Sequence, residues 1–347
     1  ILPVGISFYT FQTLSYTIDI YRGDAPPVRS FRDFMCYVAL FPQLVAGPIV
    51  RYSTVAEQLH SRVHSWSKFH RGALRFMAGF CKKVLIADAV APLVDAAFAL
   101  PEPSMADAWT GALAYTVQLY FDFSGYSDMA IGLGLMMGFT FLENFNHPYI
   151  SRSITEFWQR WHISLSTWLR DYLYVPLGGN RKGSTRTYVN LALVMLLGGL
   201  WHGANWTFVA WGAWHGGILA IERRFTFKKD GRRVATRLPI PFVMLLVVIG
   251  WVMFRAPDVG AGFSFYGSMA GLHGLGLSEA FSWQVGALPM AFVAIGLALS
   301  WFAPWWHARC AVDPRWKRLE LVFVPLFLLA VTRLEAQSYT PFLYFQF

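Results

Sequence analysis

Long apolar runs separated by short polar stretches dominate the chain. A membrane-spanning helix needs roughly 20 mainly apolar residues, and runs near 1–18, 33–50, 73–99, 108–141, 188–203, 205–222, 238–256, 285–303 and 320–334 meet or approach that length. Several carry Gly or Pro inside (Pro42, Gly47 and Pro48; Gly198, Gly199 and Gly203). These predict half-helices or re-entrant pieces, tolerated only where protein or a water-filled cavity satisfies the backbone. The pattern as a whole predicts one all-α, polytopic transmembrane body over residues 1–347, with the lipid bilayer as its surroundings.

The segment 154–172 reads differently. At 100° per residue, Trp158, Trp161, Leu165, Trp168, Leu169 and Tyr172 share one arc, while Glu156, Arg160, Ser164, Thr167 and Asp171 lie opposite. This predicts one amphipathic helix that lies along an interface or lines a vestibule rather than spanning.

The loops set an orientation. Arg223, Arg224, Lys228, Lys229, Arg232, Arg233 and Arg237 crowd one connection, Arg309, Arg315, Lys317 and Arg318 another, and Arg181, Lys182 and Arg186 a third. By the positive-inside tendency all three face the cytoplasm. The stretch 257–284, almost free of basic residues, then faces outward, and the turn at 201–206 sits towards the outer side.

Composition agrees: 55% of residues are hydrophobic and 14% charged, against about a quarter charged in soluble domains. The net charge of +9 is that of short basic loops between apolar runs, so no nucleic-acid partner is expected. Cys36, Cys81 and Cys310 show neither metal-ligand spacing nor a disulfide framework, and no metal site is expected. The chain opens on Ile1, already inside an apolar run, so it is expected to be the larger C-terminal part of a longer protein.

His202 is the sharpest anomaly, set between the apolar runs 191–200 and 206–214. An ionisable group there is costly and a functional candidate by default, and histidine is the commonest general base. A hydrogen-bonded core histidine is the competing reading. Asn205 supplies an amide able to orient the ring or polarise a carbonyl. His162 sits at the edge of the amphipathic stripe, where an interfacial histidine with a wet tip and a catalytic one are equally open. Asp171 shares the polar face with Arg160, so a solvated surface pair is its default. For His215 a structural role is favoured.

Asp122 and Asp128, in an apolar run, cost about 2.5–3.5 kcal/mol each at a helix centre and must face the bundle interior or a water-filled passage. They read as braces bonded to nearby Ser and Tyr hydroxyls, or alternatively as the ion path of a coupled transporter. Gly178, Gly179, Asn180 and Arg181 form a Gly-rich, basic, cytoplasmic stretch that either cradles the phosphates of a donor or is a plain turn. No Gly-rich loop after a strand, Gly-x-Ser-x-Gly elbow or HExxH motif occurs.

Several blocks together resemble the membrane-bound O-acyltransferase superfamily, and within it the bacterial alginate O-acetyltransferase branch. They are Asn144-Phe145-Asn146-His147-Pro148-Tyr149; the run from Phe157 through Trp161-His162 to Asp171-Tyr172; Pro176-Leu177-Gly178-Gly179-Asn180-Arg181; and Gly199-Leu200-Trp201-His202-Gly203-Ala204-Asn205-Trp206. The opening at 1–12 and the closing Tyr344-Phe345-Gln346-Phe347 fit the same branch, so the likeness covers the whole chain.

The resemblance implies a funnel-shaped body in a bacterial inner membrane, preceded by N-terminal helices absent here. It implies that His202 is the superfamily's essential histidine and His162 a second histidine of the bacterial branch. Asp171 falls near a polar partner position. It further implies an acyl donor from the cytoplasm, acetyl-CoA, with no permanently bound cofactor. The acceptor is an exopolysaccharide such as alginate, reached through a periplasmic acetyltransferase or polysaccharide-assembly partner. D-alanyl transfer to a cell-wall polymer is the nearest competitor within the class. A non-catalytic scaffold for polysaccharide export is a further one outside it.

Overall fold

The computed structural model describes residues 5–44, 47–225, 227–229, 232–234, 237–313 and 318–336. Parts of the basic loops (Asp230, Arg315, Lys317) and the blocks at 1–4 and 344–347 lie outside the described residues. Apart from a small antiparallel ribbon pairing Phe227–Lys229 with Arg232–Val234, the described secondary structure is helical, as the apolar pattern predicts.

The centre is one 32-residue helix, Met105–Met136, labelled α6 for its place after α1 (Ile6–Arg22), α2 (Phe31–Val38), α3 (Tyr52–His60), α4 (Trp66–Cys81) and α5 (Asp88–Ala99). A capping box starts it: Ser104 Oγ accepts the Asp107 N–H at 3.2 Å and Asp107 Oδ2 the Ser104 N–H at 3.0 Å. Most of α6 is buried. Antiparallel α4 reaches it through two glycine pairs. A Cβ on Gly72 would stand 2.6 Å from the Gly132 carbonyl oxygen, and one on Gly79 2.5 Å from that of Gly125. Small residues at seven-residue spacing on both helices let the backbones touch, the usual device for helix pairs in lipid.

The predicted run 73–99 is continuous but wound wider at Lys82–Ala87, a π segment between α4 and α5. This widening turns Lys82 and Lys83 towards the α6 carboxylates. Lys82 Nζ lies 2.5 Å from Asp128, and Lys83 Nζ lies 2.9 Å from Asp122 and 2.5 Å from Asp88. Arg75 adds a contact to Asp128 at 2.8 Å and one to Glu143. The aspartates are braces, and both pair with cations from the neighbouring helical segment, partners the sequence reading did not name. Removing one side of such a buried pair leaves an uncompensated charge in the interior, which is strongly destabilising.

The run 33–50 is not one spanning helix. It breaks into α2, a 3-10 turn Phe41–Gln43 and extended chain around Ile49, because Pro42 and Pro48 cannot continue a helical hydrogen-bond ladder. The stretch 257–284, read as an outer loop, contains α12 (Val259–Met269) and a short α13 (Glu279–Ser282). Asp258 caps α12, and the segment packs on α5 and α6 through a stacked Phe98–Phe265 pair with centroids 4.3 Å apart.

Two antiparallel helices, α9 (Gly183–His202) and α10 (Trp206–Arg224), form a tight hairpin. A Cβ on Gly199 would lie 2.2 Å from the Phe208 carbonyl oxygen, and one on Gly212 2.4 Å from that of Met195. Helix α11 (Ile240–Arg255) packs on α10, where Trp214 Nε1 donates to the Leu246 carbonyl at 2.9 Å. Helices α14 (Ala287–Val312) and α15 (Phe323–Ala336) complete the order. Among the described residues one helix, Ala287–Cys310, is long and apolar enough by itself to cross a membrane; Ile240–Arg255 is a shorter apolar helix. Helix α9 turns Val189, Leu193, Leu197 and Leu200 outward along one exposed stripe, the surface a lipid-facing helix presents.

Candidate acyl-transfer site

The amphipathic segment 154–172 is two helices with a sharp joint. Helix α7 (Ile154–Arg160) stops before Trp161, and α8 (Ile163–Leu169) begins after His162, continued by a wide turn Arg170–Tyr174. The loop at 144–146 makes the break. Asn146 N–H donates to the Arg160 carbonyl and Ile163 N–H to the Asn144 carbonyl, both at 2.9 Å, so the helical ladder cannot run through. His162 turns the corner with φ 42°, a left-handed conformation uncommon for a residue with a Cβ. The Trp stripe faces protein, with Trp161, Leu165, Trp168 and Tyr172 all buried; three of its members, Trp158, Leu165 and Leu169, line a vestibule together with Thr155, Gln159, Ser166 and Thr167 beside them.

That vestibule is a cavity of about 440 Å³ between α7, α8, α9 and α10, within the usual size of ligand pockets. Arg170 and Tyr174 stand on its wall near the basic Arg181 turn, and His202 lines it at the end of α9. Its α9 wall runs from Leu191 through Val194 and Gly198 to His202, a depth of about 16 Å at 1.5 Å per residue. Gly198, one turn before His202, keeps that wall open.

The His202 ring is held by aromatic edges. Trp201 and Phe254 have centroids 5.0 Å away and Trp211 5.4 Å, all near perpendicular. A smaller void of about 20 Å³ lies next to the vestibule, lined by both His202 and His162. His162 is 1% exposed, so the wet interfacial tip expected from its place on the stripe does not occur. Its Nδ1 lies 3.2 Å from Asn144 Oδ1. That oxygen also accepts Ser164 Oγ–H at 2.9 Å and Ser164 N–H at 3.2 Å, while the Asn144 amide donates to Ser127 Oγ at 2.9 Å. An amide oxygen only accepts, so Nδ1 carries the hydrogen and Nε2 the lone pair. Nε2 is buried with no hydrogen-bond partner among the described residues.

Asn144 is therefore a site residue that sequence reasoning missed. It sits 18 and 20 residues from the groups it holds, in an irregular loop whose pattern signals only a turn.

The other sequence candidates stand elsewhere. Asn205 caps α10, its Oδ1 taking the Thr207 N–H at 3.1 Å, and its amide donates to the Pro257 carbonyl at 2.9 Å. Both ends are engaged in joining α10 to the α11–α12 connection rather than in orienting His202. Asp171 pairs with Arg51 at 2.9 Å and Arg170 at 2.6 Å, while Arg160 bonds Glu156. Asp171 thus ties the wide turn to the chain before α3, and lines neither cavity. Burial alone would raise its pKa, but hydrogen bonds from Arg170 and Arg51 hold it below the ordinary carboxylate range.

Gly178, Gly179, Asn180 and Arg181 form a plain turn. The N–H groups of Gly178, Gly179 and Arg181 close on the carbonyls of Val175, Tyr174 and Gly178, and Asn190 donates to the Gly179 carbonyl at 3.0 Å. Three backbone N–H groups of the stretch are thus engaged inside the turn. His215 is fully buried behind Trp158 and Trp211, with ring centroids 5.2 Å from each, and lines neither cavity.

Over its full length the chain is 52% identical to the probable alginate O-acetylase of Pseudomonas putida, covering 75% of that protein. It is 38% identical to the peptidoglycan O-acetyltransferase of Helicobacter pylori over 80% of this chain and 58% of that protein. Identity to the teichoic acid D-alanyltransferase of Streptococcus thermophilus is 30% over 69% of this chain and 62% of that one. The membrane-bound O-acyltransferase family profile matches residues 28–254, a stretch that contains both histidines, Asn144 and the vestibule. The chain belongs to the membrane-bound O-acyltransferase family and is an O-acyltransferase.

Proposed function

We propose that this protein acetylates hydroxyls of an exopolysaccharide such as alginate, taking the acetyl group from acetyl-CoA on the cytoplasmic side of a bacterial inner membrane. The observation that carries this reading is His202 at the inner end of a cavity whose other wall stands beside the basic turn at Arg181. The likeness to alginate and peptidoglycan acetylating enzymes supports the acetyl group and the polymeric acceptor. The apolar runs and their basic loops support several membrane crossings. A periplasmic partner protein relays the group to the polymer.

In the reaction, the thioester enters along α9 with its carbonyl carbon beside His202. The His202 imidazole takes the proton of the acceptor hydroxyl as the oxygen bonds to that carbon. The C–S bond then breaks, and the thiolate leaves with the proton returned from the imidazolium. His162, fixed with Nδ1–H on Asn144, presents a lone pair at Nε2 to the same space and orders the groups around His202. General base catalysis contributes roughly 10²–10⁴-fold.

His202→Gln should therefore lower transfer of labelled acetyl from acetyl-CoA by at least about 10², with folding intact by thermal melt. Near-normal transfer by that variant refutes the reading. The ion-coupled transporter reading is weakened by the pairing of Asp122 and Asp128 with cations.

A further inference from the structure

Beyond His202, the vestibule ends against the 20 Å³ void. A space of roughly 10–15 Å³ measured in this way admits one water-sized group, and a methyl group is about that size. Besides His202, His162, Trp158 and Trp211, the walls are Leu119 and Phe123 of α6, Leu165 of α8, Trp161 at the α7–α8 joint, and Trp251 and Phe254 of α11. These last residues are buried and braced against one another. Trp161 and Trp251 have centroids 4.9 Å apart, Trp251 and Phe254 5.9 Å, and Trp211 and Phe254 5.1 Å. Such a wall does not yield to a longer chain without cost to the core.

Trp158, Leu165, Trp211 and His202 line both cavities, so a group held at His202 touches vestibule and void at once. The indole N–H groups of Trp158 and Trp211 are buried without an acceptor among the described residues. Both residues line the two cavities.

We propose that the void is an acyl-methyl pocket. The methyl of a two-carbon acyl group occupies it while the carbonyl carbon stands at His202, and the aromatic floor formed by Phe123, Trp161, Trp251 and Phe254 excludes longer acyl chains. This rests on the acyltransferase reading and adds the element that sets acyl length.

The test uses the full chain in lipid vesicles, with acetyl-, propionyl-, butyryl- and hexanoyl-CoA as labelled donors and alginate oligomers as acceptor, comparing kcat/KM along the series. Each excess methylene should lower kcat/KM of the wild type by about 10–200-fold. Leu119→Ala, which removes three carbons from the wall, and Phe123→Leu should each narrow the acetyl to propionyl ratio at least about tenfold, by raising propionyl turnover. Two results overturn the pocket while leaving the acyltransferase intact. One is a wild type that uses butyryl-CoA as well as acetyl-CoA; the other is two active variants that keep the full preference for acetyl, the outcome for a void that holds only water. Folded wild type that consumes none of these acyl-CoA donors, by transfer or by hydrolysis, with or without a co-expressed periplasmic partner, overturns the acetyl-CoA reading together with the pocket.

Discussion

At the scale of single residues, chemistry was legible where a side chain offends its surroundings. His202 stood out because an imidazole interrupts two apolar runs, and it lines the vestibule. Asn144 did not stand out, because its work depends on a loop returning to the α7–α8 joint, a contact no local period encodes. Asn205 drew attention as a polar neighbour of His202 in sequence and Asp171 through the family resemblance, yet their side chains turn to Pro257 and Arg51. The role of Asn144 can be separated from mere packing. Asn144→Leu removes the acceptor that fixes the His162 ring and leaves the Ser164 and Ser127 hydroxyls short of a partner, a loss of about 1–3 kcal/mol per buried orphan. It should reduce kcat by about tenfold or more with KM little changed, the pattern for a group that acts only in the transition state. Asn144→Asp keeps an oxygen facing Nδ1 and should restore much of kcat. Equal kcat in wild type and Asn144→Leu would show that His162 needs no fixed orientation.

Among the elements, apolar runs of ordinary length were read correctly to within a few residues. Helices α6, α9, α10 and α11 all lie where the runs place them. Failures came where tertiary hydrogen bonds or proline override a periodic pattern: the His162 joint, the broken 33–50 segment and the Gly-rich α12. The glycines that join α4 to α6 carry no hydrophobic signal, yet they decide how close the two helices come. A methyl on Gly79 or Gly125 would press into the opposing backbone carbonyl, and neither helix can move aside without breaking the Arg75 and Lys82 contacts to Asp128. Overpacking of this kind costs about 1–3 kcal/mol. Gly79→Ala and Gly125→Ala should therefore each lower Tm by several degrees in thermal melts of the detergent-solubilised protein. Gly217→Ala on α10, where a Cβ meets nothing within 4 Å, should leave Tm unchanged or raise it, since alanine is the better helix former by up to about 1 kcal/mol. A Gly79→Ala protein as stable as Gly217→Ala would mean that the two backbones are not in contact.

For the molecule as a whole, the division of labour is between a rigid charged brace and an aromatic site. Asp122 and Asp128 lie on the α4–α6 side of the bundle, paired with Lys83, Lys82 and Arg75, and none of these five residues lines the vestibule or the void. A brace and an ion path make opposite demands on the same carboxylates. A brace holds them permanently paired, whereas an ion path must release them in each cycle. Removing one partner of a buried pair costs about 3–5 kcal/mol, because the remaining charge stays behind in a poor solvent. Asp122→Asn leaves Lys83 with Asp88, and Asp128→Asn leaves Arg75 with Glu143 and Lys82 with a neutral amide. Each change should lower Tm markedly, while kcat/KM for acetyl transfer per folded molecule, measured well below that Tm, stays within about threefold of wild type. The double variant should melt lower than either single one, and proton or sodium flux across vesicles should match that of the wild type. Flux lost on replacing Asp122 or Asp128, with acetyl transfer and stability unchanged, would reassign these carboxylates from scaffold to transport path.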